Sequence, residues 1–109
     1  MSSRFFLQVG GTHRRNLFAQ AVHEIGTRIV SGALRPGDAL PKEEELGREL
    51  AISRSVLREA IKSLASKGLV ESRARVGTRV RELAYWNLLD PDVLAWRYWT
   101  MPPTDFFHS

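Results

Sequence analysis

Three basic side chains, Arg54, Arg58 and Lys62, recur every four residues within the run Ser53-Arg54-Ser55-Val56-Leu57-Arg58-Glu59-Ala60-Ile61-Lys62-Ser63-Leu64. At helical pitch they stack along one side, while Val56, Leu57, Ala60, Ile61 and Leu64 fill the other. Such a helix packs by one face and offers an anion the other. Ser53 is a good N-cap, since its hydroxyl can accept from a free amide of the first turn, and this sets Arg54 and Ser55 at the positive end of the helix. A second group follows: Arg73 and Arg75 in and beside the loop Ala74-Arg75-Val76-Gly77, and Thr78, whose hydroxyl can reach a phosphate oxygen.

Either group can be ordinary solvated charge, and for Arg79, Arg81 and Arg73 exposed hairpin charge is the plainer reading. The distribution of charge argues otherwise for the rest. From Ser53 to Arg81 eight Lys and Arg stand against two acids, net +6 in a chain whose formal total is +4. Positive charge concentrated on one stretch suits a polyanion, and a helix offering its N-terminal end with guanidinium forks suits the major groove of double-stranded DNA.

Several elements must hold these residues in place. Leu17, Ala21, Ile25, Ile29 and Val30, with Phe18 and Val22 beside them, predict a helix from about Asn16 that Gly32 ends. In Leu34-Arg35-Pro36-Gly37-Asp38, Pro36 presets the second position of a turn and Gly37 supplies the positive φ of a type II turn. Lys42 to Leu50 reads as a short helix with Glu43, Glu44 and Glu45 in its first turn, where negative charge is favoured, and Leu46 and Leu50 turned inward. About three residues, with Ile52 plugging the corner, separate it from the basic helix at 53–67, which Gly68 stops; that is helix-turn-helix spacing. Leu69 to Arg73 and Thr78 to Glu82 alternate partially around the Gly77 loop, so a hairpin at 69–82 forms a wing. Residues 1–15 hold Phe5-Phe6 and Gly10-Gly11 without periodicity and read as a flexible arm. Beyond Ala84, Asp90-Pro91-Asp92 is a helix start, with Asp90 as cap and Pro91 in the first turn, and Val93 to Trp99 form at most two turns before Pro102. Trp86, Leu88, Leu89, Trp96 and Trp99 exceed what two turns can hide, so this tail is expected to present an exposed aromatic surface.

At 109 residues and 43% hydrophobic content the chain supports one small core. It has no cysteine, which excludes disulfides and thiolate metal sites, and no signal peptide or membrane-length apolar run is visible; a cytoplasmic protein without a membrane role is expected. No nucleophile sits beside a base, no paired carboxylates share an apolar stretch and no glycine loop cradles a phosphate, so an enzyme is not expected. His13, His23 and His108 lie far apart and read as surface residues, and no metal or other cofactor is expected.

Leu40-Pro41, Glu43, Leu46, Ser53-Arg54, Leu57-Arg58-Glu59-Ala60, Leu64, Gly68-Leu69-Val70 and Gly77-Thr78 together resemble the winged-helix DNA-binding domain of the GntR family of bacterial transcription regulators, over Asn16 to Leu83. Trp86-Asn87-Leu88-Leu89-Asp90-Pro91-Asp92-Val93-Leu94 resembles the linker and first effector-domain helix of the FadR-like branch. The resemblance implies a mainly α fold with a small β-hairpin, a winged helix-turn-helix of three helices plus a two-stranded wing, followed by a linker and a short helix over 84–109. It implies base or phosphate contacts at Arg54 and Arg58, with Ser53 and Ser55 near the backbone, and wing contacts around Arg73, Ala74 and Gly77. Three positions depart from the family pattern: Lys42 replaces a capping serine, Ala51 replaces a glycine in the interhelical turn, and Glu44 stands where many members have a DNA-contacting arginine, so that contact is not carried over. The effector domain is expected to be absent or truncated, since Met101 to Ser109 do not resemble its continuation, and no small-molecule effector site is expected in this chain.

Two functions follow. In the first the chain is a sequence-specific, repressor-like DNA-binding module: Arg54 and Arg58 read guanine edges, Lys62, Arg75 and the rest of the wing hold phosphates, and the operator is palindromic. In the second it is an interaction protein whose Trp86, Trp96 and Trp99 dock on a full-length regulator. Both allow a homodimer or a mixed dimer.

Overall fold

The computed structural model describes residues 2–100, with side chains described from His13 onward. Its elements, in chain order, are α1 (Ser2–Val30), α2 (Glu43–Leu50), α3 (Arg54–Ser66), β1 (Val70–Arg73), β2 (Gly77–Val80) and α4 (Pro91–Thr100), with a single 3-10 turn at Leu83–Tyr85.

Ala21, Val22, Ile25 and Ile29 from α1 meet Leu57, Ala60, Ile61 and Leu64 from α3 in one buried cluster, closed by Leu40, Leu46, Leu69, Val70 and Val80. These are the apolar positions of the expected helical faces, and the cluster leaves the opposite face of α3 in solvent. Arg54, Arg58 and Lys62 are all exposed there.

Turn chemistry fixes the connections. Arg35, Pro36, Gly37 and Asp38 form the expected reversal: Gly37 has φ +90° and the Asp38 amide donates to the Arg35 carbonyl at 2.9 Å. The chain then runs beside the wing, an arrangement the sequence did not suggest. Val80 N–H donates to Asp38 O at 2.9 Å and Leu40 N–H to Thr78 O at 2.8 Å, so Ala39 bridges Arg79 as a rudimentary third strand. Pro41 ends it, because proline has no amide to offer a ladder. The hairpin is antiparallel, with Val70 opposite Val80, Ser72 opposite Thr78 and Arg73 opposite Gly77; the strands stop short of the expected 69–82 at the end away from the Gly77 loop.

Gly68 has φ +80°, and a Cβ there would run into the backbone of Tyr85 and Trp86. Gly68→Ala is therefore expected to destabilise the domain by more than the ~1 kcal/mol of dihedral strain alone; a chemical-denaturation midpoint unchanged from wild type would contradict this.

Two expectations need correction. The flexible arm assigned to residues 1–15 is helical from Ser2 as the N-terminal part of α1. Gly10 and Gly11 disfavour a helix by ~1 kcal/mol each, but extending a helix already nucleated by a packed segment gains a hydrogen bond for each residue fixed. The second concerns the aromatic tail. Trp96 is only 4% exposed and joins Val93 in the main core, against the face of α1 where Gly26 has no side chain to obstruct the indole. Its Nε1–H donates to His23 Nδ1 at 3.1 Å, so His23 is a hydrogen-bond acceptor as well as a surface residue. Trp86 is half-buried, its Nε1–H donating to Arg81 O at 2.8 Å. Of the three tryptophans Trp99 alone stays exposed, with Leu89 and Tyr98 nearby in sequence. Met101 to Ser109, including His108, lie outside the described residues.

The helix-turn-helix α2–α3 resting on α1, with the β1–β2 hairpin beside it and α4 docked behind, is a winged helix-turn-helix.

Candidate nucleic-acid interface

The candidate surface is built by three elements whose positions follow from the core. α3 begins where Ser53 caps it, its Oγ accepting from the Val56 amide at 3.3 Å, and this places Arg54 and Ser55 at the helix mouth. α2 ends at Ala51 in a left-handed conformation, φ +56° and ψ +45°. Alanine at a position suited to glycine carries strain of about 1 kcal/mol, and it is held by two bonds that close the corner, Ala51 N–H to Arg48 O at 3.2 Å and Ile52 N–H to Gly47 O at 3.0 Å. Lys42, as expected, gives α2 no side-chain cap.

The structure brings most of the expected residues to one side. Arg54, Arg73, Arg75, Gly77 and Thr78 line a single groove with Lys42, Glu43 and Glu44 from the mouth of α2. Arg58 and Lys62 are outside that lining and continue the exposed basic stripe along α3. Ser53 and Ser55 stand at its upper end, their hydroxyls 3.3 Å apart.

Individual side chains differ in how free they are. Lys62 and Arg75 make no ion pair among the described residues. Arg73 pairs with Glu71 at 3.1 Å across an exposed strand surface. Thr78 Oγ1 lies 3.0 Å from Ser72 Oγ across the hairpin, so its hydroxyl is already shared. Gly77 turns the wing with φ +83° and open space around its Cα. Arg79 donates to Gly37 O at 3.0 Å and Arg81 lies 4.0 Å over the Tyr85 ring; both brace the fold.

Sequence reasoning missed two things. Arg14, on the extended α1, donates to Ser55 Oγ at 3.3 Å and so adds a cation beside the mouth of α3. Its position became visible only because α1 continues through it; no pattern within residues 1–15 signals that. The second is that the acids of α2 engage the cations of α3. Arg54 Nη2 is 2.6 Å from Glu44 Oε1, and Arg58 Nε is 3.4 Å from Glu43 Oε1. A helix-end preference for acids accounts for the charge of Glu43, Glu44 and Glu45 and says nothing of where they reach.

Lys67, the C-cap residue of α3, is gripped from the other side. Its Nζ is 3.3 Å from Asp90 Oδ2 and 3.0 Å from Asp92 Oδ2, with only 11% of the side chain exposed. Burial alone would lower the lysine pKa, but the hydrogen bonds to Asp92 and Asp90 and their charge outweigh it, and the net shift is upward. Burial likewise pushes the Asp90 carboxyl up, yet bonds from the Val93 amide, Lys67 and the Asp92 amide leave it below its ordinary value.

Residues 17–80 match the family model described as bacterial regulatory proteins, gntR family. The chain belongs to the GntR family. Among its relatives, the HTH-type transcriptional regulator YieP of Escherichia coli is 42% identical over 83 residues, covering 76% of this chain and 36% of that protein. The galactonate operon transcriptional repressor of the same organism is 44% identical over 72 residues, covering 66% and 31%. The chain thus spans about a third of the length of these GntR relatives. Among solved structures, the DNA-binding domain of AraR in complex with operator ORR3 superposes with a TM-score of 0.57 at 38% identity, over 59% of this chain and 77% of that domain.

Proposed function

We propose that this chain is a sequence-specific DNA-binding module of a GntR-type transcription regulator, repressor-like in action. The observation that carries it is the shared groove in which the first helical residue of α3, Arg54, meets the wing tip, Arg73, Arg75, Gly77 and Thr78, with Arg58 and Lys62 exposed along the same helix. Arg54 and Arg58 present N–H donors to guanine O6 and N7 in the major groove, while Lys62, Arg75 and Arg73 engage phosphates and Ser53 and Ser55 lie against the backbone. The AraR domain, named with an operator, supports double-stranded DNA as the partner.

Such modules work in pairs on near-palindromic sites with half-sites about one helical turn apart, so a homodimer is the functional unit, in the cytoplasm. Among the described residues no helix is long and apolar enough to cross a membrane. Residues 16–83 act as the reader and the segment from Ala84 onward as linker and first helix of the FadR-like effector region.

The test is selection of bound sequences from random duplex DNA at two salt concentrations. Enrichment of a short half-site or palindrome identifies a specific reader; retention without enrichment would leave only a basic surface. In that event the exposed Trp99 and Leu89, at 77% and 83%, favour the second reading, docking on another regulator.

Arg14 is assigned to a phosphate. Arg14→Ala is expected to lower the slope of log Kd against log salt by about one while leaving the selected motif unchanged; an altered motif would instead make Arg14 a base reader.

A further inference from the structure

Glu44 lies on the groove wall at the mouth of α2, and its Oε1 is 2.6 Å from Arg54 Nη2. Both side chains are well exposed, at 67% and 59%, and an ion pair of that kind contributes little to folding. Its placement at the reading end of α3 calls for another account. We infer that Glu44 is a specificity-determining residue that turns Arg54 from a phosphate grip into a base reader; this rests on the DNA-binding reading above.

The argument concerns what a guanidinium seeks near DNA. A free arginine at a helix mouth is drawn to the nearest phosphate by charge, which carries no sequence information. With a carboxylate in contact, most of that charge is already answered. The base edge asks for something else: guanine O6 and N7 need N–H donors held in a plane at the right angle. Arginine has five such donors and Glu44 occupies one, so a fork remains, now braced from the side by a residue on a different helix. Glu43 and Arg58 repeat the arrangement at 3.4 Å, one turn further along α3, so Glu44 is the closer and better-formed of the two braces.

Two effects of opposite sign follow for Glu44→Ala. Discrimination at one base position of each half-site falls by about five- to tenfold, because Arg54 is released to the backbone. Retention on random duplex rises, and the salt slope steepens by about one, because one more phosphate is engaged. Glu44→Gln, which keeps the shape and loses the charge, shows the same change in slope. Arg54→Ala and the double variant Glu44→Ala/Arg54→Ala should select the same motif, since Glu44 acts through Arg54.

The measurement is selection and sequencing from random duplex DNA with wild type and all four variants, together with salt titrations on a fixed non-specific duplex and a thermal melt of each protein. A weakened base position with stronger non-specific binding, at unchanged melting temperature, supports the assignment. A Glu44→Ala motif identical to wild type overturns it, as does weaker non-specific binding. A wild-type protein that enriches no motif fails the DNA-reader reading itself, a separate result visible before any variant is compared.

Discussion

Arg58→Ala is expected to remove sequence preference at the base it reads while leaving the fold intact. The side chain is 61% exposed and its one ion pair, to Glu43, spans 3.4 Å at the surface, so the change in folding stability should stay within about 0.5 kcal/mol. The cost on DNA is of another size. A guanidinium bidentate on a guanine is worth about 1–3 kcal/mol of discrimination, and its removal leaves Glu43 unpaired with its charge facing the duplex. Affinity for the selected operator should fall about tenfold to a hundredfold per half-site, with much less change on random duplex. Fluorescence anisotropy on operator and scrambled duplexes, beside a denaturation curve, separates these terms. A variant that kept wild-type operator preference would remove Arg58 from the reading surface.

Trp96→Ala should act in the reverse sense, on the fold first. The indole is 4% exposed, sits on Gly26 of α1 and joins the main cluster with Val93. Truncation removes that contact and leaves a cavity between α1 and α4, for which about 3–5 kcal/mol is the usual cost. In a domain of this size that lowers the melting temperature by more than ~10 °C, a large part of total stability. Trp96→Phe retains most of the packing and loses only the bond to His23 Nδ1, so it should fall between. Trp99→Ala, at a side chain 77% exposed, should melt within a few degrees of wild type. Equal effects of Trp96→Ala and Trp99→Ala would contradict the burial difference between them.

The two tryptophans also show where the sequence was legible and where it was not. Periodicity located α2, α3 and the buried face of α1 because each has an apolar stripe that only one orientation can hide: Leu57, Ala60 and Leu64 admit no other arrangement. Capping and turn residues located the rest of the reader, as at Ser53, Gly37 and Gly77. Trp96 was misplaced because burial of a short helix depends on a partner surface far away in sequence. Gly26 and His23 mark that surface on α1, and neither a lone glycine nor a lone histidine in a helix says what will lie against it. The same limit applies to Glu44 and Arg54. Ten residues apart and on different helices, they meet only once the α2–α3 corner closes through Ala51. Residues 2–15 were missed for a third reason, since their helical state owes nothing to an amphipathic pattern of their own and continues from the packed segment that follows.

One joint ties the reading helix to the segment behind it. Lys67 ends α3, Asp90 and Asp92 begin α4, and the ammonium between them pins one helix to the other; the Asn87 amide, 2.8 Å from Lys67 O, adds a backbone tie at the same joint. The end of α3 and the start of α4 are thus riveted by charge, while the body of α4 is seated on α1 through Val93 and Trp96.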